Sequence, residues 1–205
     1  YYAGQSPGLK TLERRLSLVR GENAAVLSYT WHGGSPASLR LRPLLPLRPI
    51  HALTHEHGGM VQRVRMRPGQ VEIQPVSALP SVVFGHDGVF LGSPDWYRRL
   101  EYPEDKLRHV EGEEDLWTPG AFEFPLPPGR TIHFTIAVGA LPDTPPAELE
   151  RRTTAYLRAQ DPGDERPRAV RELSIAAEQF CADECEHAAV VAGFPWLSAL
   201  SRAQL

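Results

Sequence analysis

The chain has 205 residues and a formal net charge of −3 at pH 7, so it is long enough for one sizeable domain, or for one domain and part of another. Acidic and basic residues are interspersed, which excludes the basic footprint of a nucleic-acid-binding protein. The absence of a membrane-spanning apolar run and of a signal peptide predicts a cytoplasmic protein without a membrane partner. Twenty prolines and seventeen glycines favour many short elements separated by turns, as in an all-β protein.

The first part of the chain alternates between apolar and polar residues, as strands do. Residues 12–19 and 24–31 are predicted to form a hairpin, because apolar side chains recur in them with period two. Residues 39–47 continue the pattern, with prolines that place this segment at a bend or at a sheet edge. A second hairpin is predicted over 60–66 and 71–76, because Pro-Gly suits the turn between them.

Two more strand pairs are predicted further along. Residues 81–91 are predicted to fold back at 85–88, and residues 121–126 are predicted to pair with 131–139 across a Pro-Pro-Gly turn. Strands at this spacing with no helix between them imply antiparallel sheets that stack as a sandwich or barrel. The predicted fold class is therefore mainly β, with a sandwich domain over residues 1–143.

The period changes after that point, and residues 144–205 are predicted to form a helical linker and the first segment of a further helical region. Pro145-Pro146 opens a segment with apolar residues on one helical face, and a second helix is predicted from about Arg168. Cys181 and Cys185 are predicted to lie in a helix as small buried side chains, and they do not resemble a secreted disulfide framework.

Two histidine-containing clusters have enough donor atoms for a divalent metal. The first is His51, His55 and His57 with Glu56 between them, and the second combines Cys181 and Cys185 with His187. Histidines on a loop are more often solvated or hydrogen-bonded, and the cysteine cluster has no obvious fourth ligand. We therefore predict no metal and no cofactor, and a metal-dependent enzyme remains the third hypothesis for this chain.

The acidic run Glu113–Glu114–Asp115 has two interpretations. Glycoside hydrolysis needs two carboxylates, but adjacent residues point in different directions. We therefore favour an arrangement in which one carboxylate accepts hydrogen bonds from backbone amides and the others face water. Nearby aromatic residues could stack on sugar rings, although aromatic side chains in sandwiches are more often part of the core; these residues are Trp31, Trp96, Tyr97 and Trp117.

The stretch from Trp96 to Gly120, which is dense in charge and aromatic residues, is predicted to be an ordered loop. Its pattern Trp-Tyr…Glu-Tyr-Pro…Glu-Asp-Leu-Trp-x-Pro-Gly-x-Phe follows the segment Leu39 to Glu56. Together the two resemble the amino-terminal domain of bacterial and archaeal glycogen debranching enzymes of the amylo-α-1,6-glucosidase type.

A second match lies near the end of the printed sequence. Residues 192–197 (Ala-Gly-Phe-Pro-Trp-Leu) resemble the family's Ala-Gly-Tyr-Pro-Trp-Phe, which runs there into Asp-Trp-Gly-Arg-Asp. This chain retains Arg202 but has Ala199 and Ala203 at the two acidic positions, with Leu200 and Ser201 between. The resemblance therefore weakens where the family's catalytic toroid begins.

The resemblance implies a galactose-mutarotase-like supersandwich joined by a linker to a toroid whose own carboxylates cleave α-1,6-linked glucose with inversion. No catalytic residue is therefore assigned in this chain, which we expect to be inactive alone. The expected partners are an α-glucan or a catalytic toroid domain, and self-association into a homo-oligomer is an additional expectation. The alternative is an interaction domain that binds no sugar. The residues expected at a glucan or interdomain contact are Trp96, Tyr97, Trp117, Trp196 and Arg202.

Overall fold

A computed structural model describes residues 10–49, 52–60, 63–163, 165–177, 180–184, 187–191 and 199–200, the strands after residue 180 by their backbone alone. The protein is mainly β, and its sheets are antiparallel. It divides into two compact units, one of residues 1–48 with 53–150 and the other of residues 49–52 with 151–205.

The described part of the first unit contains nine strands and a short helix in chain order. The strands are β1 Leu12–Leu18, β2 Ala24–Trp31, β3 Ala37–Leu41, β4 Val64–Arg67, β5 Gln70–Ile73, β6 Val82–Gly85, β7 Val89–Glu101, β8 Glu113–Leu126 and β9 Thr131–Val138, and helix α1 is Pro103–Leu107. They form a six-stranded sheet in the order β1-β2-β9-β6-β5-β4 and a three-stranded sheet in the order β3-β8-β7. All strand pairs are antiparallel.

The two sheets of this unit pack face to face through an aromatic core. Phe122 of β8 lies with its ring centroid 4.8 Å from that of Phe134 of β9 and 5.3 Å from that of Phe84 of β6. All three side chains are buried. Burial of apolar side chains from both inner faces is what holds stacked sheets together, so the predicted sandwich packing is confirmed.

The outer face of the six-stranded sheet carries a smaller apolar cluster. Val19 and Val26 pack there against Leu149, which is only 5% exposed. Leu149 belongs to helix α2 (Pro146–Ala159), whose first residues lie in the first unit. The predicted helix after Pro145-Pro146 is therefore confirmed, and its first turn and a half covers the sheet.

The second unit contains the rest of α2, helix α3 (Arg168–Ala177), and a three-stranded sheet of β10 Cys181–Glu184, β11 His187–Val191 and β12 Ala199–Leu200. An ion pair between Arg171 of α3 and Asp161 closes the turn that precedes α3. The predicted second helix is thus confirmed. The predicted helix at Cys181 is wrong, because residues 181–184 pair as a strand with 187–191.

Three predictions about the first unit are also wrong. β6 and β7 do not fold back on each other, and β8 does not pair with β9, because in both cases the connection carries the chain from one sheet to the other. The segment Trp96–Gly120 is not a loop. It contains the end of β7, helix α1 and the first half of β8. β7 and β8 pair with each other as long strands, with two register shifts. Within the described residues, no helix combines the length and apolarity needed to cross a membrane.

Candidate functional site: an aromatic-walled cavity

Trp96 and Trp117 lie side by side on neighbouring strands of the three-stranded sheet. They are directly opposite in the register of β7 and β8. Their exposed fractions are 9% for Trp96 and 2% for Trp117. Trp117 is also held by backbone hydrogen bonds of 2.8 and 3.2 Å with Leu45. The prediction that aromatic residues belong to the core therefore holds for both, and the two indoles form one rigid surface.

That surface forms one wall of a cavity of about 440 Å³. The opposite wall is the loop 52–60, which contributes Glu56, His57, Gly58 and Met60, and the rim is completed by Pro94 and Asp95. The His57 ring lies edge-on to Trp96, with 5.5 Å between centroids. The cavity is in the size range of small-molecule sites in proteins, and its accessible lining is more polar than apolar.

Glu114 holds the loop in place. Its carboxylate is buried and accepts hydrogen bonds from Arg48 Nε and Nη2, both at 2.8 Å, from the Tyr102 hydroxyl, and from the Thr54 amide at 3.3 Å. The Arg48 guanidinium lowers the pKa of Glu114. The hydrogen bond from the Tyr102 hydroxyl to Glu114 raises the pKa of Tyr102. A buried carboxylate needs such partners, because an unpaired charge is costly away from water.

Asp115 holds the same loop from the adjacent position. Its two oxygens accept the amides of Glu56 and Arg99, both at 2.8 Å, and these amides lower its pKa. The Thr54 carbonyl in turn accepts the Asp115 amide at 2.7 Å. The prediction that one carboxylate of the acidic run accepts backbone amides is confirmed for Asp115. The prediction that the others face water is wrong for Glu114, which is buried and bound chiefly by side chains.

Glu56 at the cavity and the adjacent Glu114 and Asp115 are poor candidates for a general acid. Arg98 forms an ion pair with Glu56 and lowers its pKa, and the pKa of Glu114 and Asp115 is lowered as well. General acid catalysis near neutral pH needs a raised carboxyl pKa. These groups remain ionised and accept hydrogen bonds, so the arrangement is suited to binding neutral hydroxyl groups.

The other predicted site residues lie elsewhere. Tyr97 points to the opposite face of β7 from Trp96 and is 39% exposed; its hydroxyl accepts a hydrogen bond of 2.6 Å from Arg42. Trp31 donates its indole N–H to the Ser35 carbonyl at 2.8 Å. Trp196 and Arg202 fall outside the described residues.

The two described members of the histidine cluster, His55 and His57, have separate partners. His51 lies outside the described residues, His55 contacts Glu111 at 3.3 Å, and His57 Nδ1 accepts the Gly59 amide at 3.1 Å. Over the described ranges, no group of three or more His, Cys, Asp or Glu side chains is placed to share a metal ion.

Sequence reasoning did not find the residues that position the loop, namely Arg48, Thr54 and Tyr102. One signal was present in the sequence. Glu114 is in phase with the buried positions Phe122 and Phe124 of the same strand, and a carboxylate in phase with core residues indicates a buried, paired group. Its partners are distant in sequence and could not be identified from it.

These features define a domain of two packed antiparallel sheets with an aromatic-walled cavity of small-molecule size. The sequence model described as "Glycogen debranching enzyme N terminal" matches residues 6–133. The chain therefore belongs to the family of glycogen debranching enzyme amino-terminal domains. No curated protein and no solved structure is significantly similar to it.

Proposed function

We propose that the first unit is an α-glucan-binding domain of a cytoplasmic, debranching-enzyme-related protein, that it has the galactose-mutarotase-like supersandwich fold, and that its own residues perform no hydrolysis. The observation that carries the proposal is the cavity between Trp96, Trp117 and the loop 52–60. Family membership directs the choice of ligand toward glucose polymers.

The chemistry of the cavity fits a neutral sugar. Sugar hydroxyls donate hydrogen bonds to carboxylate oxygens, and Glu56 and Asp95 expose 44% and 59% of their side chains at the cavity. The carbon–hydrogen faces of a sugar ring pack on apolar and aromatic surface, which Met60 and the two indoles supply. Because the indoles are nearly buried, they offer little surface to a ligand. We expect weak affinity, with Kd on the order of 1 mM.

The decisive experiment obstructs the cavity without touching its polar groups. Gly58 lines the cavity and has open space around a built Cβ, as does Gly34 in a turn that does not line it. Gly58→Phe should abolish retardation in a glycogen-containing native gel, and the matched control Gly34→Phe should migrate like the wild type. Equal retardation of the two variants, or wild-type retardation no greater than in a blank gel, would refute the proposal.

The absence of hydrolysis is tested separately. The pKa values of Glu56, Glu114 and Asp115 are lowered, which makes these three carboxylates unsuited to the proton-donor role that glycosidic cleavage requires. Purified chain incubated with a branched dextrin should release no glucose above the buffer blank. Release that disappears in Glu114→Gln would overturn this part of the proposal.

A second candidate function is protein interaction through β1, which pairs only with β2 among the described strands. Its Leu16 and Leu18 are 62% and 74% exposed, and an edge strand of this kind can accept a further strand. Arg14 and Arg15 lie at its centre, and Arg15 pairs with Glu13 of the same strand. The strand therefore carries one excess positive charge, which would oppose a second copy of β1 and favour an extended acidic segment, such as one of a catalytic domain.

Light scattering tests this edge. The wild type should be monomeric, because paired arginines oppose each other in an antiparallel dimer of β1. Replacing both arginines by serine should allow dimers, and adding Leu16→Lys should return the monomer. A serine variant that stays monomeric at all concentrations would argue against an edge competent for pairing.

A further inference from the structure

Strand β4 lies at the opposite end of the six-stranded sheet from β1 and pairs only with β5 among the described strands. Its residues are open to solvent: the Arg65 side chain is 65% exposed, and Met66 is 67% exposed. An uncovered edge presents unpaired backbone N–H and C=O groups, which can bind an additional strand. β4 therefore meets the first requirement of a docking site for an extended segment.

Three arginines lie on one face of this edge. The register of β4 with β5 places Val64 opposite Ile73, which is buried in the core. Because side chains alternate between the faces of a strand, Arg65 and Arg67 lie on the other face. Arg63, the residue before β4, lines the same cavity as Arg65 and so shares this face. The three form an arginine row whose Cα atoms are spaced by about 7 Å, the distance between alternate residues of a strand.

The arginine row carries more positive charge than its surroundings neutralise. Glu72, opposite Arg65 in the register, forms an ion pair with it at 3.4 Å. Within the described residues, the side chains of Arg63 and Arg67 form neither an ion pair nor a hydrogen bond. Arginine stays charged at neutral pH, so three arginines less one glutamate leave two excess positive charges. A local excess of this kind attracts carboxylates.

A cavity of about 280 Å³ beside the row gives room for an acidic side chain. Arg63 and Arg65 line it together with Glu72, Gln74 and Ser77. The Gln74 amide nitrogen donates to two backbone carbonyls in the segment that follows β5. The guanidinium groups are therefore the main donors for a ligand that enters.

We propose that β4 binds an extended acidic segment of a partner protein, with a carboxylate at every second position, as an additional strand of the six-stranded sheet. Main-chain hydrogen bonds provide affinity, and the arginine row selects the segment, because alternate side chains of a strand have the same spacing as the arginines. A second copy of β4 is a poor occupant, since it sets like charges side by side. The surface is separate from the cavity at Trp96 and does not depend on glucan binding there.

The test is an NMR titration of the full chain with three peptides of equal length. In the first, glutamate alternates with threonine; in the second, glutamine replaces each glutamate; in the third, the same glutamates are adjacent. The first should cause saturable amide shifts at residues 63–67 and not at residues 12–18. The second should bind at least about tenfold and the third at least about threefold more weakly. Absence of binding, equal binding of all three peptides, or shifts centred on β1 would overturn the proposal.

Two double variants that remove the same charge assign the binding to this edge. Arg63→Gln with Arg67→Gln removes the arginines that have no ion pair, and it should weaken binding of the first peptide about tenfold without lowering thermal stability. Arg14→Gln with Arg15→Gln on β1 is the matched control and should leave the affinity unchanged. Equal affinity of the two variants would count decisively against the arginine row.

Amide hydrogen exchange separates strand addition from loose electrostatic attraction. A bound strand pairs with the outward amides of β4, so saturating amounts of the first peptide should slow their exchange at least about tenfold. Binding without slower exchange would refute strand addition. Tighter binding of a single-stranded DNA of equal charge would assign the row to a nucleic acid and would also overturn the proposal.

Discussion

Replacement of Glu114 by glutamine tests whether the loop at the aromatic-walled cavity is held by a buried charge pair. The glutamine side chain has nearly the same shape but removes the negative charge beside the Arg48 guanidinium, which is only 15% exposed. Removing one partner of a buried ion pair costs about 3–5 kcal/mol. Because Arg48 retains some contact with water, we expect the lower end, about 3 kcal/mol. That is a large share of the roughly 5–15 kcal/mol that stabilises a typical domain.

Urea unfolding followed by tryptophan fluorescence measures this effect, because Trp96 and Trp117 are buried beside the network. With a slope of about 2 kcal/mol per molar urea, the midpoint should fall by about 1.5 M. Arg48→Met alone should cost about as much, and the double variant should cost clearly less than the sum. A loss below about 1 kcal/mol in Glu114→Gln, or strictly additive losses, would refute the assignment.

The effect of Glu114→Gln on the free energy of unfolding should depend on pH. The pKa of Glu114 is lowered from its ordinary value of 4.5 in the folded protein. Its contribution is therefore fully present above about pH 4.5 and is lost as the pH falls through the folded pKa. The stability difference between the wild type and Glu114→Gln should accordingly be constant near neutrality and should shrink in acid. A difference that grows below pH 4.5 would contradict the sign of this shift.

Three further predictions concern core packing, backbone geometry and a surface ion pair. Leu149→Ala should lower the free energy of unfolding by about 2–5 kcal/mol, because it opens a cavity over Val19 and Val26; a loss below 1 kcal/mol in urea unfolding would contradict this. Gly120→Ala should lower thermal stability severely, since φ is +138° and a Cβ would lie 2.1 Å from the Leu91 carbonyl oxygen. A wild-type melting curve would show that the backbone around Gly120 can shift to accept the side chain. Arg40→Ala should cost less than about 1 kcal/mol in urea, because its ion pair with Glu123 is exposed; a larger loss would reveal an additional role.

The elements that the sequence predicted correctly are those whose formation depends on residues close in the chain. β2 and β9 alternate cleanly, and α2 follows a double proline, so local periodicity located them well. Periodicity does not reveal which sheet a strand joins. The Gly85–Gly88 and Pro127–Gly129 connections were predicted as hairpin turns, but each passes between sheets, a choice made by distant core contacts such as Phe122 with Phe134.

The candidate site was predictable to a similar degree. The motif around Trp96 and Trp117 indicated where to look, since both residues line the cavity. Their burial, and the use of Glu114 as an anchor for a loop sixty residues earlier, follow from the pairing of β7 with β8 and from contacts with Arg48 and Thr54. Such long-range contacts leave no periodic trace in the sequence.

The position of α2 across the two units has a practical meaning for protein engineering. A shortened protein that stopped at residue 143 would discard Leu149 and Glu150, which cover Val26 and bind Ser28 on the sheet. Expression vectors for the isolated β domain should therefore extend beyond residue 150. A shorter product is expected to be less soluble, because it would present a bare apolar surface to solvent.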